Sequence, residues 1–224
     1  MQLKTDGALD LLDAGGLLSR VMVKDWGRDA LAGRLYRLAC MDGAFGEIRM
    51  AKIHKVGIAM GSDSDWPTMK ETVEALKWFG IQYDVDVISA HRTPELAMKY
   101  AKEAEKKGYC AIIAGSGGAA HLAGVMAALT PLPVIGVPMQ TSSLNGQDSL
   151  YSIVQMPGGV PVATMAIGKA GAKNAGILAA QIIGVGDPAM REKVKAYKRK
   201  LAAEVKEKVA KLRQEMGNEK SGQS

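Results

Sequence analysis

The sequence predicts an α/β protein of three layers, helices on both faces of a parallel sheet, with an amphipathic helix at its C-terminal end. Two observations carry this. From Ile53 onward, short apolar runs alternate with helix-length stretches, the order in which strands pair in parallel through crossover helices. Three of those runs, 56–60, 110–114 and 134–137, are apolar throughout, as strands covered on both faces must be.

The elements follow in order. The first strand, 56–60, leads through a polar loop to a helix over 67–79 that Gly80 stops. The second, 83–88, alternates Tyr83, Val85 and Val87 with polar residues, so it reads as a half-buried strand. Its helix spans 94–107, with Thr93 as N-cap, Pro94 at the first helical position and Gly108 at the end. The third strand, 110–114, passes through glycines into a helix over 119–129. A fourth strand covers 134–137 and a fifth 162–167, followed by a helix over 169–183. In the tail, Met190, Val194, Tyr197, Leu201, Val205, Val209, Leu212 and Met216 recur every three or four positions, the stripe of an amphipathic helix.

Charge and cysteine usage exclude several classes. Residues 187–224 carry eleven basic and six acidic side chains, so five of the chain's six net positive charges lie in the tail. Lys and Arg on the wet face of one helix, with no aromatic residues interleaved to stack bases, read as a solvated surface and not as a nucleic-acid site. Cys40 and Cys110 offer neither a disulfide framework nor a metal-ligand spacing. No apolar stretch reaches the ~18 residues that cross a bilayer. With no signal-peptide pattern at the start, a soluble, cytoplasmic protein with no membrane partner is expected. Residues 1–49 mix glycine-rich and arginine-containing stretches with short helical patches at 9–12 and 31–38. They read as a dispensable extension ahead of a natural start at Met50. The division expected is therefore 1–49 extension, 50–186 sheet domain, 187–224 helix and tail.

In a parallel sheet every strand-to-helix loop emerges at the carboxyl edge, where open α/β folds bind ligands. Three loops should meet there: Gly61-Ser62-Asp63-Ser64-Asp65-Trp66, Ser89-Ala90-His91-Arg92-Thr93, and Gly115-Ser116-Gly117-Gly118-Ala119-Ala120-His121. Together they offer helix N-termini and hydroxyls for an anion, an arginine for a phosphate, a carboxylate for sugar hydroxyls, and two imidazoles. The composite suits a small phosphorylated, hydroxyl-bearing substrate and a proton transfer, and a ribonucleotide fits it. Each piece has a plainer reading. The glycines are turn residues, Ser62 and Ser64 ordinary turn hydroxyls, Asp65 a helix cap, and His121 a structural histidine as readily as a ligand contact. Gly115-x-Gly117-x-x-Ala120 imitates a dinucleotide fingerprint, but it follows the third strand and no acidic residue lies about twenty positions on.

Five ordered motifs, Gly61–Trp66, Ser89–Pro94, Gly117–Leu122, Asp148–Pro157 and Ala166–Gly171, closely resemble those of the class I N5-carboxyaminoimidazole ribonucleotide mutases of purine biosynthesis. The resemblance covers about residues 53–183 and has no counterpart for 1–49; Ser116 and Ala123 stand where relatives often have other small residues or proline. It implies a flavodoxin-like fold, a homo-octamer with shared sites, and conversion of N5-carboxyaminoimidazole ribonucleotide to 4-carboxyaminoimidazole ribonucleotide without metal, ATP or other cofactor. Carried over by motif, Ser62, Asp65 and Arg92 bind substrate and His91 handles the proton. Ser64 and Ser89 are expected to join Arg92 in a phosphate cradle, with Asp65 on the ribose hydroxyls. An imidazole, with an ordinary pKa near ~6.5, can act first as acid and then as base near neutral pH. Competing readings are the class II relative that carboxylates aminoimidazole ribonucleotide with free CO2, whose histidine loop usually lacks the Arg92-Thr93 pair; a non-catalytic ribonucleotide-binding module; and a nicotinamide-dependent oxidoreductase.

Overall fold

A computed structural model describes residues 8–12, 18–22, 39–40, 49–50 and 53–221, with side chains over 53–216. The chain forms two compact units that divide between Lys52 and Ile53. The first holds two antiparallel pairs, β1 (Ala8–Leu12) with β2 (Leu18–Met22) and β3 (Ala39–Cys40) with β4 (Arg49–Met50). The helical patch expected at 9–12 is thus a strand: Ala8 pairs with Met22 and Leu12 with Leu18, and partner hydrogen bonds outweigh a four-residue helical propensity. The patch at 31–38 lies outside the described residues.

The second unit is the α/β body. Its sheet contains β5 (Lys55–Met60), β6 (Gln82–Val87), β7 (Tyr109–Ser116), β8 (Val134–Pro138) and β9 (Ala163–Thr164) in the order β6-β5-β7-β8-β9. Every neighbouring pair is parallel. That is the flavodoxin-like winding: β6 lies on one side of β5, and the chain then crosses to β7 on the other. Alternate strand residues feed two cores. Ile58, Ile113 and Ile135 face α1 (Trp66–Phe79) and α5 (Lys169–Gly186), while Ala59, Ile112 and Val134 face α2 (Pro94–Glu103), α3 (Leu122–Ala127) and α4 (Gln147–Val154). Where α1 crosses α5 the backbones nearly touch. A Cβ on Gly176 would lie 2.8 Å from the Ala75 Cβ, and the Thr72 hydroxyl donates to the Ala172 carbonyl at 2.7 Å.

The tail forms α6 (Pro188–Ser221), whose first turns fold back on this face. Met190, Val194 and Tyr197 are buried there, with Tyr197 edge-on to Trp78 at 4.8 Å between centroids. Ile177, Leu178 and Ile182 also pack against this core, so the nearly all-apolar α5 finds much of its cover within its own chain. The tail charge is not all solvated: Lys193 donates to the Phe79 carbonyl at 2.7 Å, and Arg191 to the carbonyls of Gly184 and Val185 at 2.9 and 2.8 Å. Cations thereby meet the negative C-terminal ends of α1 and α5. At the α5–α6 junction Asp187 accepts from the Ala189 N–H at 2.9 Å and from the His54 imidazole at 2.6 Å. Burial alone would push Asp187 up; His54 and the N–H groups of Ala189 and Met190 outweigh it and hold the carboxyl below the usual carboxylate range.

Candidate active site

The expected loops do converge. β5 and β7 are adjacent, and the Gly61 N–H donates to the Gly115 carbonyl at 2.9 Å, tying the first loop to the third at the point where the winding reverses. A cleft of about 430 Å3 opens above them. Ser62, Ser64, Asp65, Ser89, His91 and Arg92, all six residues singled out in the sequence, line it, and so does His121.

In the first loop, Ser62 caps a 3-10 turn over Asp63–Asp65 and accepts from the Ser64 N–H at 3.3 Å. The Ser64 hydroxyl donates to the Ser62 Oγ at 2.9 Å, and Ser62 in turn donates to the Asp63 carboxylate at 3.1 Å. Asp65 occupies the position before α1 but makes no side-chain capping bond, so the plain cap reading fails. Burial raises its carboxyl above the ordinary range; the Ser62 backbone N–H opposes the shift, and the neighbouring charge of Asp63 adds to it. An ionised carboxylate held half-buried on the cleft wall is suited to accept hydroxyl protons from a ligand.

In the second loop, Thr93 is not a side-chain N-cap either. Its hydroxyl donates to the Ser89 carbonyl at 2.9 Å and accepts from the Ser89 N–H at 3.1 Å, closing the loop on itself. The Ser89 Oγ accepts from the Arg92 N–H at 3.1 Å and from Nε at 3.4 Å, so its own proton remains to be donated. Arg92 Nη2 donates to the Gly61 carbonyl at 3.2 Å. One edge of the guanidinium is thereby pinned across two loops, and Nη1 and the second Nη2 proton have no hydrogen-bond partner among the described residues, which leaves donors for an anion.

The central new feature is a histidine pair. His91 Nε2 and His121 Nδ1 lie 2.8 Å apart, with the rings edge-to-face at 84°. One ring must donate and the other accept, so a single proton occupies the space between them. His91 Nδ1 and His121 Nε2 are the open nitrogens of the pair.

Sequence reasoning missed the wall beyond β8. Met139, Gln140 and Thr141 line the cleft, and α4 supports it from behind. The Ser149 hydroxyl donates to the Met139 carbonyl at 2.8 Å and accepts from the Gly118 N–H at 3.0 Å; the Ser152 hydroxyl meets the Gly118 carbonyl at 3.2 Å. Gly118 has φ +67°, a turn that glycine enters without strain, and α4 locks its peptide on both sides. Thr141 donates to the Asp148 carboxylate at 2.8 Å, fixing the start of α4 to the same loop. The signal was present in the run from Asp148 to Val154, where Leu150 and Ile153 lie three apart. Among the described residues no group of three or more His, Cys, Asp or Glu side chains is placed to hold a metal ion.

A family model described as AIR carboxylase matches residues 55–204. The N5-carboxyaminoimidazole ribonucleotide mutase of Thermotoga maritima is 60% identical over 160 residues, 71% of this chain and 92% of that protein. The protein of the same name from Pyrococcus horikoshii is 56% identical over 165 residues, covering 74% of this chain and 92% of the relative. The crystal structure of Treponema denticola PurE superimposes with a TM-score of 0.64 at 32% identity, covering 70% of this chain and 98% of that one. On the strength of the matched family model and of relatives covered nearly end to end, the chain belongs to the AIR carboxylase family.

Proposed function

We propose that this chain is an isomerase that converts N5-carboxyaminoimidazole ribonucleotide to 4-carboxyaminoimidazole ribonucleotide in purine biosynthesis, in the cytoplasm. The observation that carries the reading is the hydrogen-bonded His91–His121 pair on the same cleft as an arginine fork and an ionisable Asp65. Arg92, Ser89 and Ser64 cradle the phosphate, Ser62 completes that end, and Asp65 takes the ribose hydroxyls.

His91 then handles one proton twice. It protonates the carbamate nitrogen; the N–C bond breaks and CO2 is released into the cleft. The ring carbon attacks that CO2, forming the new C–C bond, and its displaced proton returns to His91. Atoms and charge balance over the cycle, so no cofactor is consumed. His121, hydrogen-bonded to His91 Nε2, orients that ring and leaves His91 Nδ1 open to the substrate. Ser149 and Ser152 hold the Gly118 peptide from behind, so the glycine-rich loop keeps its shape as one wall of the space that receives CO2.

Assembly enters the same reading. Along α6 past Tyr197, Leu201, Val205, Val209, Leu212 and Met216 remain exposed as one stripe, and we infer that other copies cover it in a homo-octamer.

The test is 13C NMR of substrate labelled in its carboxyl group, in buffer stripped of CO2. Isomerisation supports the mutase. Turnover only from aminoimidazole ribonucleotide plus CO2 indicates direct carboxylation, tight binding without turnover a binding module, and an absorbance change on adding a nicotinamide cofactor an oxidoreductase.

A further inference from the structure

Ser116 ends β7 and lines the cleft, yet its hydroxyl is buried and makes no hydrogen bond to any described group. The residue is only 6% exposed. A buried hydroxyl without a partner is a standing cost to the folded state, and removing one by Ser→Ala in an ordinary core is stabilising or neutral. Such a group at the floor of a ligand cleft has a different meaning when a ligand supplies the missing partner.

We propose that the Ser116 hydroxyl is the donor that holds the carboxyl group of the substrate and product. This rests on the mutase reading and assigns to it a residue that the sequence motifs do not. The strand alternation sets the direction. Ile112 and Ala114 face the α2–α3 layer, and Ser116 continues that series, so its side chain lies on the side that carries the histidine pair. A Cβ on Gly61 would lie 3.6 Å from the Ser116 Cβ, which places the serine under the first loop at the base of the cleft. Of the phosphate cradle, Ser64 and Arg92 are exposed at the rim and Ser89 is half-buried beside them. A ribonucleotide anchored there by its phosphate brings its opposite end, the carboxylated imidazole, to the floor. A ligand carboxylate oxygen that reaches this floor gives the hydroxyl the partner it lacks. The bond is strong to the carboxylate of either ground state and weak to neutral CO2, so it sets affinity and selects for carboxylated ligands.

The test compares full-length wild type and Ser116→Ala by calorimetry with two ribonucleotides, 4-carboxyaminoimidazole ribonucleotide and its decarboxylated counterpart, and by melting of the unliganded proteins. The expected result is a loss of roughly tenfold or more in affinity for the carboxylated ligand, less than twofold change for the other, and an unliganded melting temperature equal to or above wild type. Equal losses for both ligands, or no loss with a raised melting temperature, overturn the assignment and leave an ordinary buried serine. A wild-type protein that binds neither ligand and does not isomerise sinks the mutase reading itself, before the variant is compared.

Discussion

Arg92 and His91 are sequence neighbours with different jobs, and Arg92 offers the cleaner energetic case. Its Nε and one Nη2 proton are committed to Ser89 and Gly61, so only the outer fork is available to a phosphate. Arg92→Ala removes a charge-assisted contact worth about 1.5–3 kcal/mol, which is roughly a tenfold to 150-fold loss of affinity. It also cuts the tie between the Ser89 and Gly61 loops, but Thr93 still closes the Ser89 loop, so the fold persists. Arg92→Lys restores the charge without the fork. A lysine that reaches the phosphate cannot hold the Gly61 carbonyl at the same time, so only part of the affinity returns. The assay is calorimetric titration with the product ribonucleotide and, in parallel, with its dephosphorylated nucleoside. The nucleoside should bind wild type and Arg92→Ala alike. A nucleoside that loses as much affinity as the nucleotide would show that Arg92 shapes the loop and does not hold the phosphate.

Three further expectations follow from named contacts. The Asp65 carboxyl is raised by burial, so its ionised form costs folding free energy once the pH rises above the unfolded value of 3.8; Asp65→Asn should melt no lower than wild type at neutral pH while binding the ribonucleotide more weakly, and a lower melting temperature would refute the cost. Asp187 is shifted the other way, so its contribution is present above the unfolded value of 3.8 and is lost as pH falls through its lower folded value; Asp187→Ala should cost about 1 kcal/mol at neutral pH, about 2–4 °C in Tm, with the gap to wild type closing in acid, as thermal melts across pH will read. A chain beginning at Met50 should remain active and, by light scattering, elute as an octamer like the full chain; a stable, active monomer from either would end the assembly proposal.

What could be read in the sequence depended on how local its cause was. Strands β5, β7 and β8 were legible because burial on both faces demands an unbroken apolar run, and β6 because an edge strand alternates. The fifth strand was overdrawn. The run 162–167 looks like a strand, but only Ala163 and Thr164 pair with β8, and beyond them single bonds from Met165 to Gly136 and from Gly168 to Pro138 guide the chain without a ladder. The helix α4 was missed because it opens at Gly146, with φ +88°, after Asn145, also at positive φ, and carries no side-chain cap to announce it. The cleft residues were legible from topology alone: any polar loop after a parallel strand goes to one edge. Their partnerships were not. His91 and His121 stand thirty residues apart, and nothing local to either says that they meet.

The proton cycle is the centre of the account, and His91→Asn tests it most directly. Asparagine keeps a similar size and can still hydrogen-bond His121, but it cannot carry a proton through the cycle. With carboxyl-labelled substrate in CO2-free buffer, the variant should bind the ribonucleotide within a few-fold of wild type while its single-turnover isomerisation rate falls by at least ~10²–10⁴. Isomerisation by His91→Asn at near the wild-type rate would contradict the account, because some other group would then be moving the proton.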